Sequence, residues 1–176
     1  MKFTAERIES FKWPISVSRK IGVSKEQIWD LITKPGNLED FHPYCKKNPV
    51  QEWPGVGSMD EVHYYSGWVL LREFVNWEDG IGYDLLIGRE GGRKSYVSWR
   101  LTEDQEGIGS LRITIFPHNL QHIPIAIRWI PHIIMIQPGL NSYLDAVLKG
   151  LEWYIISGEP VRKDQFGTHK WFSNKE

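Results

Sequence analysis

Cysteine is nearly absent from this sequence: Cys45 stands alone in 176 residues. That excludes an intramolecular disulfide and any zinc site built on cysteines, and it suits a reducing, cytoplasmic compartment. No histidine and amide are arranged around Cys45 as for a thiol nucleophile, so it reads as a small buried hydrophobe. An excess of one charge is lacking too. The formal net charge is -1 with 24% charged residues, which offers no basic field to a nucleic-acid backbone. The opening MKFTAERIESFKW carries charges where a secretory signal needs an apolar run, so no signal is expected. Repeats, low-complexity tracts and linkers are missing, and one domain is the expectation for this length. A membrane span is missing as well. The densest apolar stretch, IPIAIRWIPHIIMIQPGL from Ile123 to Leu140, is interrupted by Arg128, His132, Gln137 and prolines 124, 131 and 138, whereas a span needs about 20 nearly uncharged residues.

Catalytic signatures are equally scarce. The G-x-S-x-G nucleophile elbow does not occur. The glycines of REGGR lie between strand-like runs, which makes them a hairpin rather than a phosphate loop. His118 and His122 in HNLQH have the spacing of a metal-binding pair, but they follow Pro117 where a helix would only be starting. They also lack the glutamate of H-E-x-x-H, and His132 would have to join them from a distance. The carboxylates Asp30, Glu39, Asp40, Glu61, Glu73, Asp84 and Asp145 mostly fall on solvent-facing positions, and no two of them suggest an acid–base pair. No catalytic residue, metal or cofactor is therefore assigned.

What the sequence does hold is pattern. ISVSRKIGV alternates apolar Ile15, Val17 and Ile21 with polar residues, as a half-buried strand does, with Arg19 as the exception. SKEQIWDLI follows with a capping box, Ser24 and Gln27, and an apolar face of Ile28, Leu31 and Ile32. A second short helix fits NLEDFHP, ended by Pro43. From Cys45 to Pro117, turns at PGVG, SG, EDGIG, REGGR and EDQEGIG separate β-branched and aromatic runs. Val97, Trp99 and Leu101, then Leu111, Ile113 and Ile115, fall on one face. With the first strand this makes about seven strands by pattern. GLNSYLDAVLKGLEWYIISGEP is the clearest helix, with Leu140, Leu144, Val147, Leu148, Leu151, Tyr154 and Ile155 at helical spacing. Asp145, Lys149 and Glu152 stand opposite, and Gly158 and Pro160 end it. Residues 1–14 read as an extension, 15–158 as the domain, and 159–176 as a loosely ordered tail.

This order resembles the START-like superfamily, also called SRPBCC, which includes lipid-transfer START domains, birch-pollen-allergen-like proteins and polyketide cyclase/dehydrase-like proteins. ISVSRKIGVSKEQIWDLITKPGNLEDFHP, YVSWRLTEDQEGIGSLRITIFP and GLNSYLDAVLKGLEWYI carry the likeness, with Trp29 and Pro35 at positions such proteins share. The resemblance implies an α+β helix-grip fold: a curved antiparallel sheet around a long C-terminal helix, two short helices after the first strand, and an internal apolar cavity. The segment from His118 to Gly139 departs from it, because a short connection normally leads into the last helix. Its apolar residues surround a helix on nearly every side, and Pro131 and Pro138-Gly139 predict a kinked pair of helical segments with a bend before the long helix.

The function implied is binding or transport of a hydrophobic small molecule, whether lipid, isoprenoid or aromatic polyketide-like compound. The rival is a cyclase/dehydrase-like enzyme acting on a bound substrate. Candidates to face the cavity are His63, Tyr65, Trp68, Arg72, Tyr83, Trp99, Tyr143 and Tyr154. Arg72 interrupts an apolar run, so either it meets a ligand carboxylate or it sits at a bulge or faces outward. Ile127, Arg128, Trp129, Ile130 and Ile134 are candidates for a lid or for peripheral membrane contact, and homodimerisation stays open.

Overall fold

The computed structural model describes residues 13–118 and 129–174. Strand β1 (Ile15–Lys20) is followed by helices α1 (Lys25–Ile32) and α2 (Leu38–Phe41). The capping box of α1 is formed: the Gln27 N–H donates to Ser24 Oγ at 3.3 Å, and the Ser24 N–H donates to Gln27 Oε1 at 3.2 Å. These bonds satisfy two of the otherwise orphaned donors at the helix start. Ile28 and Ile32 turn inward from α1, and Leu38 and Phe41 from α2.

Seven further strands complete one antiparallel sheet: β2 (Cys45–Lys47), β3 (Val50–Glu52), β4 (Met59–Tyr64), β5 (Val69–Glu78), β6 (Gly82–Gly88), β7 (Lys94–Glu103) and β8 (Gly109–Phe116). Their order is β1-β8-β7-β6-β5-β4-β2, with β3 also paired to β4. The strand beyond the expected seven is β2, whose three residues are too few to leave an alternation in the sequence. In β7 and β8 the expected face is inward: Val97 pairs with Ile115, Trp99 with Ile113 and Leu101 with Leu111, and all six are buried. Each such fully buried aliphatic side chain contributes about 1.5–3 kcal/mol.

The C-terminal helix is longer than predicted, and helical backbone rather than a turn leads into it. Helical backbone runs from α3 (Trp129–Pro131) through a π-helical turn (His132–Ile136) into α4 (Gln137–Ser157). Two prolines would break an α-helix by removing donors and crowding the carbonyl four residues back. The wider π turn, in which the Gln137 N–H reaches the His132 carbonyl, relaxes that crowding between them. Pro138 thus sits in the first turn of α4, and Gly139 serves close packing instead of a bend. A Cβ there would come within 2.6 Å of the Trp171 ring.

α4 buries Leu140, Leu144, Val147, Leu148 and Leu151 against the sheet and α2. On its more polar side Arg19 reaches across from β1 to Asp145 at 3.2 Å and Glu152 at 3.0 Å, which explains the interruption in the first strand's pattern. After the left-handed cap at Gly158, the tail packs down where a loose segment was predicted. The Val161 N–H donates to the Asp40 carbonyl, the Asp164 N–H to the Pro43 carbonyl, and the Ser66 N–H to the Phe172 carbonyl. Phe172 joins the core, so the ordering of this segment is offset by apolar burial.

Candidate ligand-binding cavity

Two aromatic clusters divide the interior, and one of them, Tyr44, Tyr64, Tyr143 and Phe172, stands where the tail packs on α4. At one end Trp29, Trp53, Phe74, Trp77, Tyr83 and Trp99 pack face and edge. Tyr83 lies stacked between Trp77 and Trp99 at 5.4 Å from each ring centre. This end is solid. Toward the other end the sheet and α4 diverge and enclose a cavity of about 510 Å³, within the range of sites that take a drug-sized molecule. Its walls are mainly apolar: Val62, Leu70, Leu85, Val97, Ile113 and Ile115 from the sheet, Leu140, Leu144 and Val147 from α4, and Trp171 and Phe172 from the tail.

Of the candidates named from sequence, Trp68, Arg72, Trp99 and Tyr143 line this cavity. His63, Tyr65, Tyr83 and Tyr154 do not. His63 is on the opposite face of β4 from Val62 and Tyr64, bonded to Glu61 at 2.7 Å. Tyr65 lies past the end of β4 with the Lys163 ammonium 5.6 Å from its ring centre. Tyr83 belongs to the solid end, and Tyr154 packs against the core from the last turns of α4. Of the segment expected as a lid, Ile127 and Arg128 lie outside the described residues, as does His122. Trp129 begins α3, while Ile130 and Ile134 are exposed.

Arg72 does not face outward and does not mark a bulge. It is paired in register with Asp60 across β4 and β5, both are buried, and the guanidinium grips that carboxylate with two bonds, Nε to Oδ1 at 2.6 Å and Nη2 to Oδ2. Neither charge would be tolerated there alone. Arg72 is the member that lines the cavity, and its Nη1 makes no hydrogen bond among the described residues.

Within reach of its charge stand His42, Tyr64 and Tyr143, which also line the cavity and of which only Tyr143 was named from the pattern. His42 Nδ1 accepts the Tyr44 backbone N–H at 3.2 Å, so the proton of the neutral ring is on Nε2, which donates to Tyr143 Oη at 2.8 Å. Tyr143 Oη lies 2.9 Å from Tyr64 Oη. Burial, followed by the Arg72 charge, drives the His42 pKa down to about 3. Burial also drives both phenols above their usual value, so all three are uncharged near neutrality.

At the mouth the chemistry differs. Arg89 and Arg93 of the β6–β7 hairpin are exposed, with the Arg89 guanidinium 4.9 Å above the Trp68 ring. Ser95 Oγ accepts the His118 backbone N–H at 3.2 Å and lies 2.8 Å from the His118 ring nitrogen. Ile130, Ile133, Ile134 and Met135 are 41–69% exposed, and Trp68 and Val69 are 40% and 44%. Met135 and Trp68 reach the cavity itself.

No family profile and no curated protein matches this chain. Solved structures do match in shape. Protein SA2116 of unknown function from Staphylococcus aureus superposes with a TM-score of 0.66 at 9% identity, covering 83% of this chain and 94% of its own. DynU16, from the dynemicin biosynthetic locus, gives 0.61 at 14% identity over 86% of this chain and 51% of its own. Ara h 8.0201 gives 0.59 at 14% identity over 82% and 98%. The chain has a helix-grip fold. At these identities the likeness concerns the fold, and the site rests on this chain's own residues.

Proposed function

We propose that this helix-grip protein binds a hydrophobic small molecule in the cavity between sheet and helix and carries it unchanged. The observation behind the proposal is the mainly apolar volume of about 510 Å³ between sheet and helix, which the aromatic packing at the other end does not fill. A lipid, an isoprenoid or an aromatic polyketide-like compound fits a chamber of this chemistry. The exposed rim of Ile130, Ile133, Ile134 and Met135 stands beside the mouth, and Arg89 and Arg93 outnumber Glu90 on the adjoining hairpin. An apolar rim flanked by cations complements an anionic lipid surface, so ligand exchange is assigned to a membrane-facing mouth.

Catalysis of the cyclase/dehydrase type is the second reading, favoured by one observation: a hydrogen-bonded histidine and two phenols line the cavity. It is the weaker one, because both His42 nitrogens are engaged and no lone pair is left to accept a substrate proton. Native mass spectrometry of the purified chain, followed by organic extraction, tests the carrier reading. A bound apolar compound, recovered chemically intact after incubation with the protein, is the expected result. A chain that never retains one, from cells or from added lipid extract, refutes it. Sedimentation at several concentrations shows in the same preparation whether the rim pairs two copies instead.

A further inference from the structure

The hydrogen bonds at the buried end of the cavity can be counted, and the count leaves a donor over. His42 Nε2–H, Tyr143 O–H and Tyr64 O–H are three donor protons, joined by two hydrogen bonds. Whichever phenol donates to the other, one O–H has no acceptor among the described residues, and both phenols line the cavity. The Nη1 protons of Arg72 are likewise unclaimed, since Asp60 occupies Nε and Nη2. Asp60, the carboxylate buried here, is already committed to Arg72. The pole is therefore rich in donors and carries no net charge, Arg72 being cancelled by Asp60 while His42 stays neutral.

We propose that this pole selects a neutral hydrogen-bond acceptor, a carbonyl oxygen borne on an otherwise apolar molecule, in preference to a hydrocarbon or a carboxylate. A carbonyl offers its lone pairs to the spare phenol O–H or to the guanidinium N–H and adds no charge. A hydrocarbon covering the same surface strips water from both donors and returns nothing, a cost that buried donors make steep. A carboxylate would leave one uncancelled negative charge among apolar walls, since the single positive charge is spent on Asp60. The place for a carboxylate is the mouth, where Arg89 and Arg93 stand in water. The inference rests on the carrier reading and adds the chemistry of the ligand's buried end.

The test uses the full chain and three probes of one shape, 2-acetylnaphthalene, 2-ethylnaphthalene and 2-naphthoate, titrated calorimetrically near neutral pH. The ketone is expected to bind about tenfold more tightly than the ethyl compound, the worth of one net hydrogen bond, and the naphthoate most weakly. Tyr64→Phe/Tyr143→Phe should bring the ketone at least threefold closer to the ethyl compound, whose own affinity does not fall. If the ethyl compound or the naphthoate matches the ketone on the unaltered chain, this inference is wrong while the carrier reading stands. If none of the three binds, this inference fails, and the extraction experiment alone decides the carrier reading. A ketone preference undiminished in a folded double variant removes the phenols from the site.

Discussion

Acid should reach this fold through His42. Its imidazole is buried, and burial together with the neighbouring Arg72 charge lowers its pKa from 6.5 to about 3. The unfolded chain takes up a proton below pH 6.5 that the folded chain refuses until about pH 3. Across that window the unfolded state binds more protons, so the stability is whole above pH 6.5 and is lost as the pH falls. Going from about pH 7.5 to about pH 4.5 crosses two units of the window, which costs about 3 kcal/mol at roughly 1.4 kcal/mol per unit. For a domain of this size that corresponds to about 6–12 °C in Tm. The control is His42→Gln, which keeps a donor toward Tyr143 and does not titrate. Urea unfolding followed by tryptophan emission at several pH values measures both proteins. Their other titrating groups, Asp84, Asp145, His132 and His169 among them, act alike and cancel in the difference. The unaltered chain should lose about 3 kcal/mol more than the variant over this range. Parallel profiles would refute the burial and neutrality argued for His42, and with them the proton count at the cavity's inner end.

Three more outcomes follow from the packing. Arg72→Met strands the Asp60 carboxylate and should cost about 3–5 kcal/mol in urea unfolding, whereas Arg72→Met/Asp60→Leu should recover most of it; a double variant no better than the single would show the pair to be more than charge cancellation. Gly150→Ala, a change that ordinarily favours a helix by about 1 kcal/mol, should instead destabilise by about 1–3 kcal/mol, because the added carbon falls 2.0 Å from the Phe41 carbonyl oxygen; a gain in Tm would contradict the contact between α4 and α2. Ile133→Asp/Ile134→Asp alters residues 53% and 69% exposed and should weaken co-sedimentation with phosphatidylglycerol vesicles severalfold while moving stability by about 0.5 kcal/mol per site at most. Unaltered vesicle binding would detach the rim from the membrane.

The fold was legible where a single rule governs a long stretch. The alternation through Trp99 and Ile113, the Ser24 capping box and the apolar stripe of α4 each follow one period, and each stands as expected. The cavity's polar end was illegible for a physical reason. On β4 the inward face is Asp60, Val62 and Tyr64, and a buried aspartate on the apolar side erases the alternation that would have exposed the register. His63 and Tyr65 were therefore named in place of Tyr64. Arg72 was noticed as an interruption, but only its partner, twelve residues back, explains it. His42 offered no sign, since it looks like the end of a short helix before a proline. Nor did the tail, in which Trp171 and Phe172 are interspersed with charged and small residues without any period. The π turn was hidden because two prolines in an apolar run predict a break, and the wider turn that accommodates them has no sequence signature of its own.

The tail has a consequence for how ligand preference can change. Trp171 and Phe172 close part of the cavity wall, yet they belong to neither the sheet nor the helix, and they hang on a segment held by backbone bonds with Asp40, Pro43 and Ser66 and by side-chain bonds such as that of His169 Nε2 with the Gly139 carbonyl at 3.0 Å. The chamber's size is thus set in part by a panel outside the sheet and the long helix. Phe172 also packs in the core, whereas Trp171 is only partly buried, so substitution at Trp171 would retailor the compartment while the strand register and the apolar stripe of the long helix stay as they are.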